Sequence, residues 1–332
     1  MTEFLDICYD AIMMQGKSIA RTIAALDETS ASVLEEKKRV VLTGCGDSYA
    51  AADYGRWALL KAGLDVQSVS PDEVRHLRLD QETVVVGITA SGRSLATIKA
   101  LQETKKRNAI TVALTDNADG RASQDADHIW VTKSGVETYN TSPSAPTTAA
   151  MVYLLGVASQ LTSDVKIDND IQSLKSAGKE MMTWAEEQGK RISQLTSPNV
   201  PIYLISEGPN HVAAQIGMMK FNEFSILKGI AAVREEFCHH YNISINDGES
   251  AVLISNSPIG QSDEAYLKVL IDSLKMNVYH LYTDESLNLK HPLGQAIPNM
   301  IALQMASFHT VLKFNPDKRS FKLPHAEAFK IY

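Results

Sequence analysis

The stretch Val84–Thr97 passes from a strand pattern into a helix pattern through a turn of small hydroxyl residues. Its first residues form an apolar run rich in valine, which is typical of a strand buried on both faces. The run ends in small hydroxyl residues around Gly92, and a helix pattern begins at Ser94. Such a turn collects backbone N–H groups and the positive end of a helix dipole at one point. The stretch therefore predicts either an anion site or an ordinary strand-to-helix turn with Ser94 as its cap.

Strand and helix patterns alternate through the first half of the chain. Strands are predicted at 39–44, 65–70, 84–88, 109–114 and 128–132. Right-handed crossovers between such strands build a parallel sheet, whose ligands bind beyond the carboxyl ends of the strands. The turns Cys45–Ser48 and Thr89–Ser94 lie at such ends, so we expect them to converge on one pocket. This convergence favours the anion site, with Thr89, Ser91 and Ser94 as hydroxyl donors.

The second half of the chain repeats this order of strand, turn and helix. Strands are predicted at 202–206, 251–255 and 278–282, and helices at 211–227, 263–274 and 301–314. Because 332 residues are too many for one comfortable core, we expect two domains. The fold class is therefore α/β, with two doubly wound parallel sheets. The expected divisions are an N-terminal helical segment (1–35), a first domain (36–165), a linking helix (166–196), a second domain (197–314) and a tail (315–332) that closes the site.

Composition argues against several classes of protein. The formal net charge is −7, which disfavours a nucleic-acid-binding face. The three cysteines are too few and too scattered for a disulfide framework, and they favour a reducing compartment. No Cys/His cluster has the spacing of a zinc site, and no apolar run reaches membrane-spanning length. We therefore expect a cytoplasmic protein without a metal, a cofactor, a nucleic-acid partner or a membrane segment.

Two groups in the second half have side chains suited to proton transfer. Lys220 and Glu223 are three residues apart in a helical pattern, so they are neighbours. They form either a surface ion pair or a general base held near a cation. The run Arg234–His240 holds two acids and two imidazoles between a helix and the next strand. His239 is either a solvated loop residue or a proton shuttle that is effective near neutral pH.

The segment Gly135–Thr148 is polar and is interrupted by Pro143 and Pro146. One interpretation is a loop that ends in the cap of the following helix, with Pro146 near the first helical position. The other is a loop that faces the substrate, with Glu137 and Ser142 in contact with it.

These motifs resemble those of the tandem sugar-isomerase (SIS) domain proteins, and in particular the isomerase half of glucosamine-6-phosphate synthase. Aminosugar-phosphate deaminases and fructosamine-phosphate deglycases belong to the same group. The matching stretches are Gly44-Cys-Gly-Asp-Ser48, Ile88-Thr-Ala-Ser-Gly-Arg-Ser94, Gly135-Val-Glu-Thr with Ser142, and Lys220-Phe-Asn-Glu223, with His239 sixteen residues after Glu223. The resemblance covers nearly all of residues 30–314 and implies two flavodoxin-like SIS domains in tandem, with additional terminal and linking helices.

The resemblance also implies roles for single residues. Glu223 is the base that moves a proton between C1 and C2 of the sugar, and His239 promotes ring opening. The implied binding residues are Cys45, Gly46, Ser48, Thr89, Ser91, Ser94, Glu137, Ser142, Lys220 and Glu236. In the family the histidine comes from the second subunit, so the resemblance implies a homodimer with shared active sites.

Some positions depart from the family pattern. Ala90 replaces an amide side chain of the synthase, and Ser144 stands where a lysine often occurs. Lys330 in the tail is either a Schiff-base lysine or a solvated terminal residue. We also expect the chain to lack the glutaminase half of the synthase.

The expected function is that of an aldose–ketose isomerase acting on a phosphosugar or a similar sugar anion, such as a sulfonate. The alternatives are an aminosugar-phosphate deaminase or fructosamine-phosphate deglycase, and a non-catalytic sugar-phosphate sensor.

Overall fold

The computed structural model describes residues 1–35, 37–136, 145–257, 260–283 and 285–321. Their backbone separates into two compact units. The first unit comprises residues 14–178, and the second comprises residues 1–13 and 179–321. Among the described residues, none of the helices combines the length and apolar character that crossing a bilayer requires.

Strands and helices alternate along most of both units. The strands are β1 Arg39–Gly44, β2 Val66–Val69, β3 Thr83–Ile88, β4 Ile110–Thr115, β5 His128–Val131, β6 Ile202–Ser206, β7 Gly229–Val233, β8 Ser250–Ser255 and β9 Asn277–Tyr282. The α-helices are α1 Glu3–Met13, α2 Gln15–Ala24, α3 Asp47–Lys61, α4 Leu95–Lys105, α5 Arg121–Gln124, α6 Ala145–Leu161, α7 Val165–Ser176, α8 Gly178–Gln194, α9 Asn210–Lys220, α10 Arg234–His239, α11 Gln261–Lys268 and α12 Pro292–Phe314. Two π-helical turns, Phe221–Ser225 and Val269–Ser273, continue α9 and α11.

The first unit contains a five-stranded parallel sheet in the order β2-β1-β3-β4-β5. This is the doubly wound order of flavodoxin-like folds, in which the chain reverses direction across the sheet between β1 and β3. The central strands are buried along nearly their whole length, as their valine-rich sequences predict. Helix α6 is apolar on all sides, and residues 145–158 of it are buried.

The second unit contains a four-stranded parallel sheet in the order β7-β6-β8-β9. This order matches that of the first sheet, with one strand fewer. The long helix α12 is buried along most of its length in this unit. The predicted α/β class with two doubly wound parallel sheets is therefore confirmed.

Strand β7 and helix α10 were not predicted from the sequence, which placed residues 234–240 in a connection. β7 is five residues long, begins at a glycine and is only partly buried, so its apolar pattern is weak. α10 has only six residues, which is too short for a periodic pattern to be recognised.

The prediction of a single linking helix over 166–196 was wrong, because this stretch forms two helices, α7 and α8. The division falls at Ala177, where the backbone leaves helical geometry. The next residue, Gly178, lies so close to Gly16 that a Cβ atom added to Gly178 would be 3.0 Å from the Gly16 carbonyl oxygen. This approach of two backbones requires glycine at both positions.

Candidate functional site

The turns after β1 and β3 lie side by side at the carboxyl edge of the first sheet. The Ser94 hydroxyl donates to the Cys45 sulfur at 3.5 Å, and the Thr97 hydroxyl donates to the Ser94 oxygen at 3.1 Å. A further contact of 3.9 Å joins the Cys45 sulfur to the Thr97 hydroxyl. The structure thus brings the two predicted turns together, as the order of the strands requires.

The hydroxyl groups of the β3 turn are oriented by its own backbone. The Ser91 hydroxyl oxygen accepts from the Arg93 N–H at 3.3 Å, and the Thr89 hydroxyl oxygen lies 3.5 Å from the Ser94 nitrogen. A hydroxyl that accepts a backbone N–H still has its own O–H to donate. The eleven-residue helix α4 follows this turn, so its N-terminal dipole lies at the same place. The arrangement suits a phosphate or sulfonate oxygen.

The turn after β1 begins with a backbone conformation that favours glycine. Gly46 has a φ of +56°, and helix α3 begins at the next residue. Cys45 and Gly46 are exposed, and Ser48 is half-buried in the first turn of α3. The Thr147 hydroxyl, at the start of α6, donates to the Asp47 carboxylate at 3.0 Å. This bond ties α6 to the turn, a contact that sequence reasoning did not predict.

Lys220 and Glu223 form a close ion pair in the second unit. The Lys220 ammonium nitrogen lies 2.6 Å from a Glu223 carboxylate oxygen. The lysine side chain is 2% exposed and the glutamate side chain is 41% exposed. Of the two interpretations drawn from the sequence, a simple surface ion pair does not describe this geometry, because one partner is buried.

Glu223 lies in the middle of the π-helical turn Phe221–Ser225. The turn ends at Ile226, which adopts a left-handed conformation with a φ of +57°. Wider turns of this kind are rare and often occur at functional sites. The turn changes the direction of the side chains that follow Lys220, so a regular-helix pattern does not describe where residues 224–226 point.

Helix α10 presents its acidic and histidine side chains to solvent. The His239 Nε2 atom lies 3.0 Å from a Glu235 carboxylate oxygen, and the His240 Nδ1 atom lies 3.8 Å from a Glu236 carboxylate oxygen. The residues of each pair are four apart in sequence, with His240 directly after the end of α10, and neither pair includes Glu223. Glu235 was not among the predicted site residues, although its spacing from His239 would have indicated it.

Three of the predicted site residues, Glu137, Ser142 and Lys330, lie outside the described residues. Their roles stay predictions.

A profile of the SIS domain family matches residues 33–158, all of which lie in the first unit. The second sheet lies outside the matched residues, and a second such domain stays a prediction. The glutamine–fructose-6-phosphate aminotransferase (isomerizing) of Clostridium tetani is 23% identical over 238 residues, which are 69% of this chain and 39% of that protein. The chain spans about half of the length, or less, of the curated relatives it matches.

Solved structures share the fold at low sequence identity. A protein from Silicibacter pomeroyi, described as a candidate phosphosugar isomerase, superposes with a TM-score of 0.78 at 15% identity, covering 92% of this chain and 98% of that one. The glucosamine-6-phosphate deaminase of Thermotoga maritima superposes with a TM-score of 0.75 at 14% identity, covering 93% and 95%. At these identities the superpositions show the fold.

Proposed function

We propose that this chain is an aldose–ketose isomerase that acts on a phosphosugar or a similar sugar anion. The observation that carries the proposal is the pairing of the partly exposed Glu223 carboxylate with the buried Lys220 ammonium at 2.6 Å. A carboxylate fixed at one oxygen keeps a constant orientation, which a general base needs. The SIS domain and the isomerase named among the structural neighbours support the same reaction class.

The proposed reaction moves one proton between two neighbouring carbons of the open-chain sugar. Glu223 removes the proton from C2 of the aldose, and the electron pair of the C–H bond forms the C1=C2 bond of an enediolate. The C1=O electron pair moves onto O1, which gains a proton as the O2 hydroxyl loses one. The protonated Glu223 then returns its proton to C1 as the C2=O bond forms, which gives the ketose. His239 promotes opening of the sugar ring, and its Glu235 partner orients the imidazole.

The anion of the substrate is assigned to the two turns at the carboxyl edge of the first sheet. Thr89, Ser91 and Ser94 donate from their hydroxyl groups, and the start of α4 contributes backbone N–H groups. Hydroxyl and backbone donors bind phosphate and sulfonate oxygens alike, so these turns suit either anion.

The test is proton NMR of the purified protein with hexose phosphates and sugar sulfonates in D₂O. An isomerase incorporates deuterium at C2 of the aldose as ketose forms. Replacement of Glu223 by Gln should lower kcat by about 1,000-fold, because it removes the base and keeps the shape.

Glu103→Gln is the matched control, since Glu103 also pairs with a lysine three residues away, at 2.7 Å on an exposed helix face. Its kcat should equal that of the wild type. Wild-type turnover in Glu223→Gln would remove Glu223 from the reaction.

Cleavage of a C–N bond in an aminosugar phosphate is the second candidate, and the neighbouring deaminase structure favours it. A deaminase or deglycase would use the same base and would release ammonia or an amino acid from the substrate. An assay of released ammonia and amine with glucosamine 6-phosphate and a fructosamine 6-phosphate separates it from the isomerase. Tight binding of every sugar without exchange or release would indicate a sensor instead.

The proposal includes a cytoplasmic homodimer with shared active sites. Mixed and refolded Glu223→Gln and His239→Ala chains test this sharing, because half of the dimers would then be heterodimers with one intact site. Activity should recover to about a quarter of the wild-type value if the two residues act across subunits. No recovery, with a dimer seen by light scattering, would place both residues of a site in one chain.

A further inference from the structure

Helix α10 carries His239 but is too short to hold its own direction. It has six residues, and isolated helices of that length are unstable in water. Four of its six residues are exposed, namely Glu235, Glu236, Cys238 and His239. Only Phe237 is buried, among the rings of Tyr203, Tyr241 and Tyr266. An apolar anchor in the middle of a helix leaves rotation of its ends unrestrained, so another contact must set the position of the exposed face.

Arg234, the first residue of α10, supplies polar contacts at that end. One terminal nitrogen of its guanidinium lies 2.6 Å from a carboxylate oxygen of Asp263. The other donates to the carbonyl and hydroxyl oxygens of Ser262, both at 3.1 Å. The Arg234 and Asp263 side chains are only 15% and 13% exposed. A partly buried guanidinium that binds two partners through two nitrogens has a specific geometry. A lysine ammonium does not reproduce that geometry.

Tyr266 of α11 holds the same residue at two further points. The guanidinium carbon of Arg234 lies 4.5 Å from the centre of the tyrosine ring. The tyrosine hydroxyl donates to the Arg234 carbonyl oxygen at 3.1 Å, and the Cys238 thiol donates to that oxygen at 3.4 Å. Side chain and backbone of Arg234 are thus both attached to α11, through Asp263 and Tyr266.

We infer that Arg234 is a positioning residue for His239, held by Asp263 and Tyr266, an inference that rests on the proposed function. Its role is to fix the rotation of α10, so that His239 and its partner Glu235 face one direction. Arg234 touches neither imidazole nor substrate, and it acts through the helix. A displacement of about 1 Å at a catalytic group lowers a rate by about 100-fold, so a loosened α10 affects turnover.

Arg234→Ala tests the inference against a closely matched control. Arg56 in the first unit also pairs with an aspartate, Asp53 at 2.7 Å, and also lies 4.5 Å from the centre of an aromatic ring, that of Trp57. Arg234→Ala should lower kcat by about 10- to 100-fold with KM changed less than about threefold. Arg56→Ala should lose similar thermal stability and keep the wild-type kcat.

Arg234→Lys and Tyr266→Phe refine the assignment. Arg234→Lys keeps the positive charge but loses the two-nitrogen contact with Asp263 and Ser262. Its kcat should therefore lie between those of Arg234→Ala and the wild type. Tyr266→Phe keeps the ring and removes the bond to the Arg234 carbonyl, so it should lower kcat by about threefold. If Arg234→Ala does not fold, as circular dichroism would reveal, these two milder variants decide the inference by the same criteria.

A second readout does not depend on turnover. The His239 ring resonances, assigned by their loss in His239→Ala, should shift or broaden in Arg234→Ala and stay unchanged in Arg56→Ala. Unchanged His239 resonances, or wild-type kcat in every Arg234 and Tyr266 variant, would overturn the inference. A wild-type chain with no turnover would overturn the proposed function, and the resonances would then still decide whether Arg234 holds His239.

Discussion

The carboxyl edges of the two sheets have the same strand order but different chemistry. In the first sheet, the turns after β1 and β3 carry small hydroxyl residues that are exposed or half-buried, apart from Thr89. In the second sheet, the side chains after β6 and β8 belong to an amide chain in which Asn210 and Asn299 are buried and Asn256 is half-buried. Asn299 of α12 donates to Asn210 at 3.0 Å, and Asn210 donates to Asn256 at 2.8 Å.

The amide chain continues through the interior of the second unit. Thr283 donates to the Asn299 amide oxygen at 3.2 Å, and Asn299 lies 3.4 Å from the Ser255 carbonyl oxygen. Asn210 and Asn299 have no exposed surface. Polar groups that bind one another stabilise the unit but offer little to a ligand. The strand order therefore predicts a possible ligand site at the carboxyl edge of each sheet. The side chains decide at which edge the hydrogen-bond donors remain available to a ligand.

The largest expected effect is loss of stability when the amide chain is broken. Asn299→Ala leaves buried polar groups of Asn210 and Thr283 without this partner, and each such group costs about 1–3 kcal/mol. We expect the free energy of unfolding of the second unit to fall by about 3 kcal/mol, measured by urea denaturation. Asn277→Ala, which removes an exposed amide bond to Gly248, should cost about 0.5 kcal/mol. Equal midpoints for the two variants would contradict the structural role given to the amide chain.

A smaller effect is expected on anion affinity at the first edge. Ser94→Ala removes one hydroxyl donor and should weaken binding of inorganic phosphate and of glucose 6-phosphate by about tenfold, or about 1.4 kcal/mol. Ser255→Ala is the counterpart at the second edge, where the serine hydroxyl lies 2.9 Å from His280. Ser255→Ala should leave the affinity for both ligands unchanged. Isothermal titration calorimetry measures the affinities of both variants. Weaker binding in Ser255→Ala alone would place the anion at the other edge.

Two glycines allow the same change at both edges. Gly46 and Gly208 have φ values of +56° and +55°, and a Cβ atom added to either meets no atom within 4 Å. Alanine at either position should therefore lower the free energy of unfolding by about 1–3 kcal/mol from backbone strain alone, measured by urea denaturation. Only Gly46→Ala should also weaken phosphate binding, since it alone lies in the anion turns. A similar loss of phosphate affinity in Gly208→Ala would contradict the assignment of anion binding to the first edge alone.

The smallest effect is a pH dependence that is specific to the second sheet. Burial lowers the pKa of His280, with Arg234 adding to this effect and Asp263 opposing it. A histidine with a lowered pKa in the folded state binds protons more readily when unfolded, so its contribution is present above pH 6.5 and is lost as the pH falls. The loss should stay below about 1 kcal/mol, because the ring is half-buried and solvent screens it. His280→Gln should reduce the fall in the free energy of unfolding between pH 7 and pH 5, to which His309 also contributes because burial lowers its pKa. An unchanged slope would exclude His280 as a source.

Much of the fold follows from local sequence patterns. The bounds predicted for β1 and β6 are those observed, because both strands are buried apolar runs that end at small turn residues. β7 was missed because an edge strand with partial burial lacks such a pattern. The division of the linking stretch at Ala177 was missed because it depends on the approach of Gly178 to Gly16, which is distant in sequence.

The candidate site was predictable in part. Spacing alone indicated that Lys220 and Glu223 are neighbours, and the strand order indicated that the turns at Cys45 and Thr89 meet. Spacing did not indicate that Lys220 is buried, since burial depends on what packs over a residue. Nor did it indicate the attachment of Arg234 to Asp263, because those residues lie on different elements.

The sequence by itself determined two parallel sheets, the positions of their turns and the residue types at each turn, because these depend on neighbours within a few positions. Only the tertiary structure decided that the second edge is closed by its own amides, since Asn299 reaches Asn210 from 89 residues away. It also decided that Lys220 is buried and that α10 is fixed from its first residue. Burial and pairing are properties of packed surfaces, and separate parts of the chain supply those surfaces.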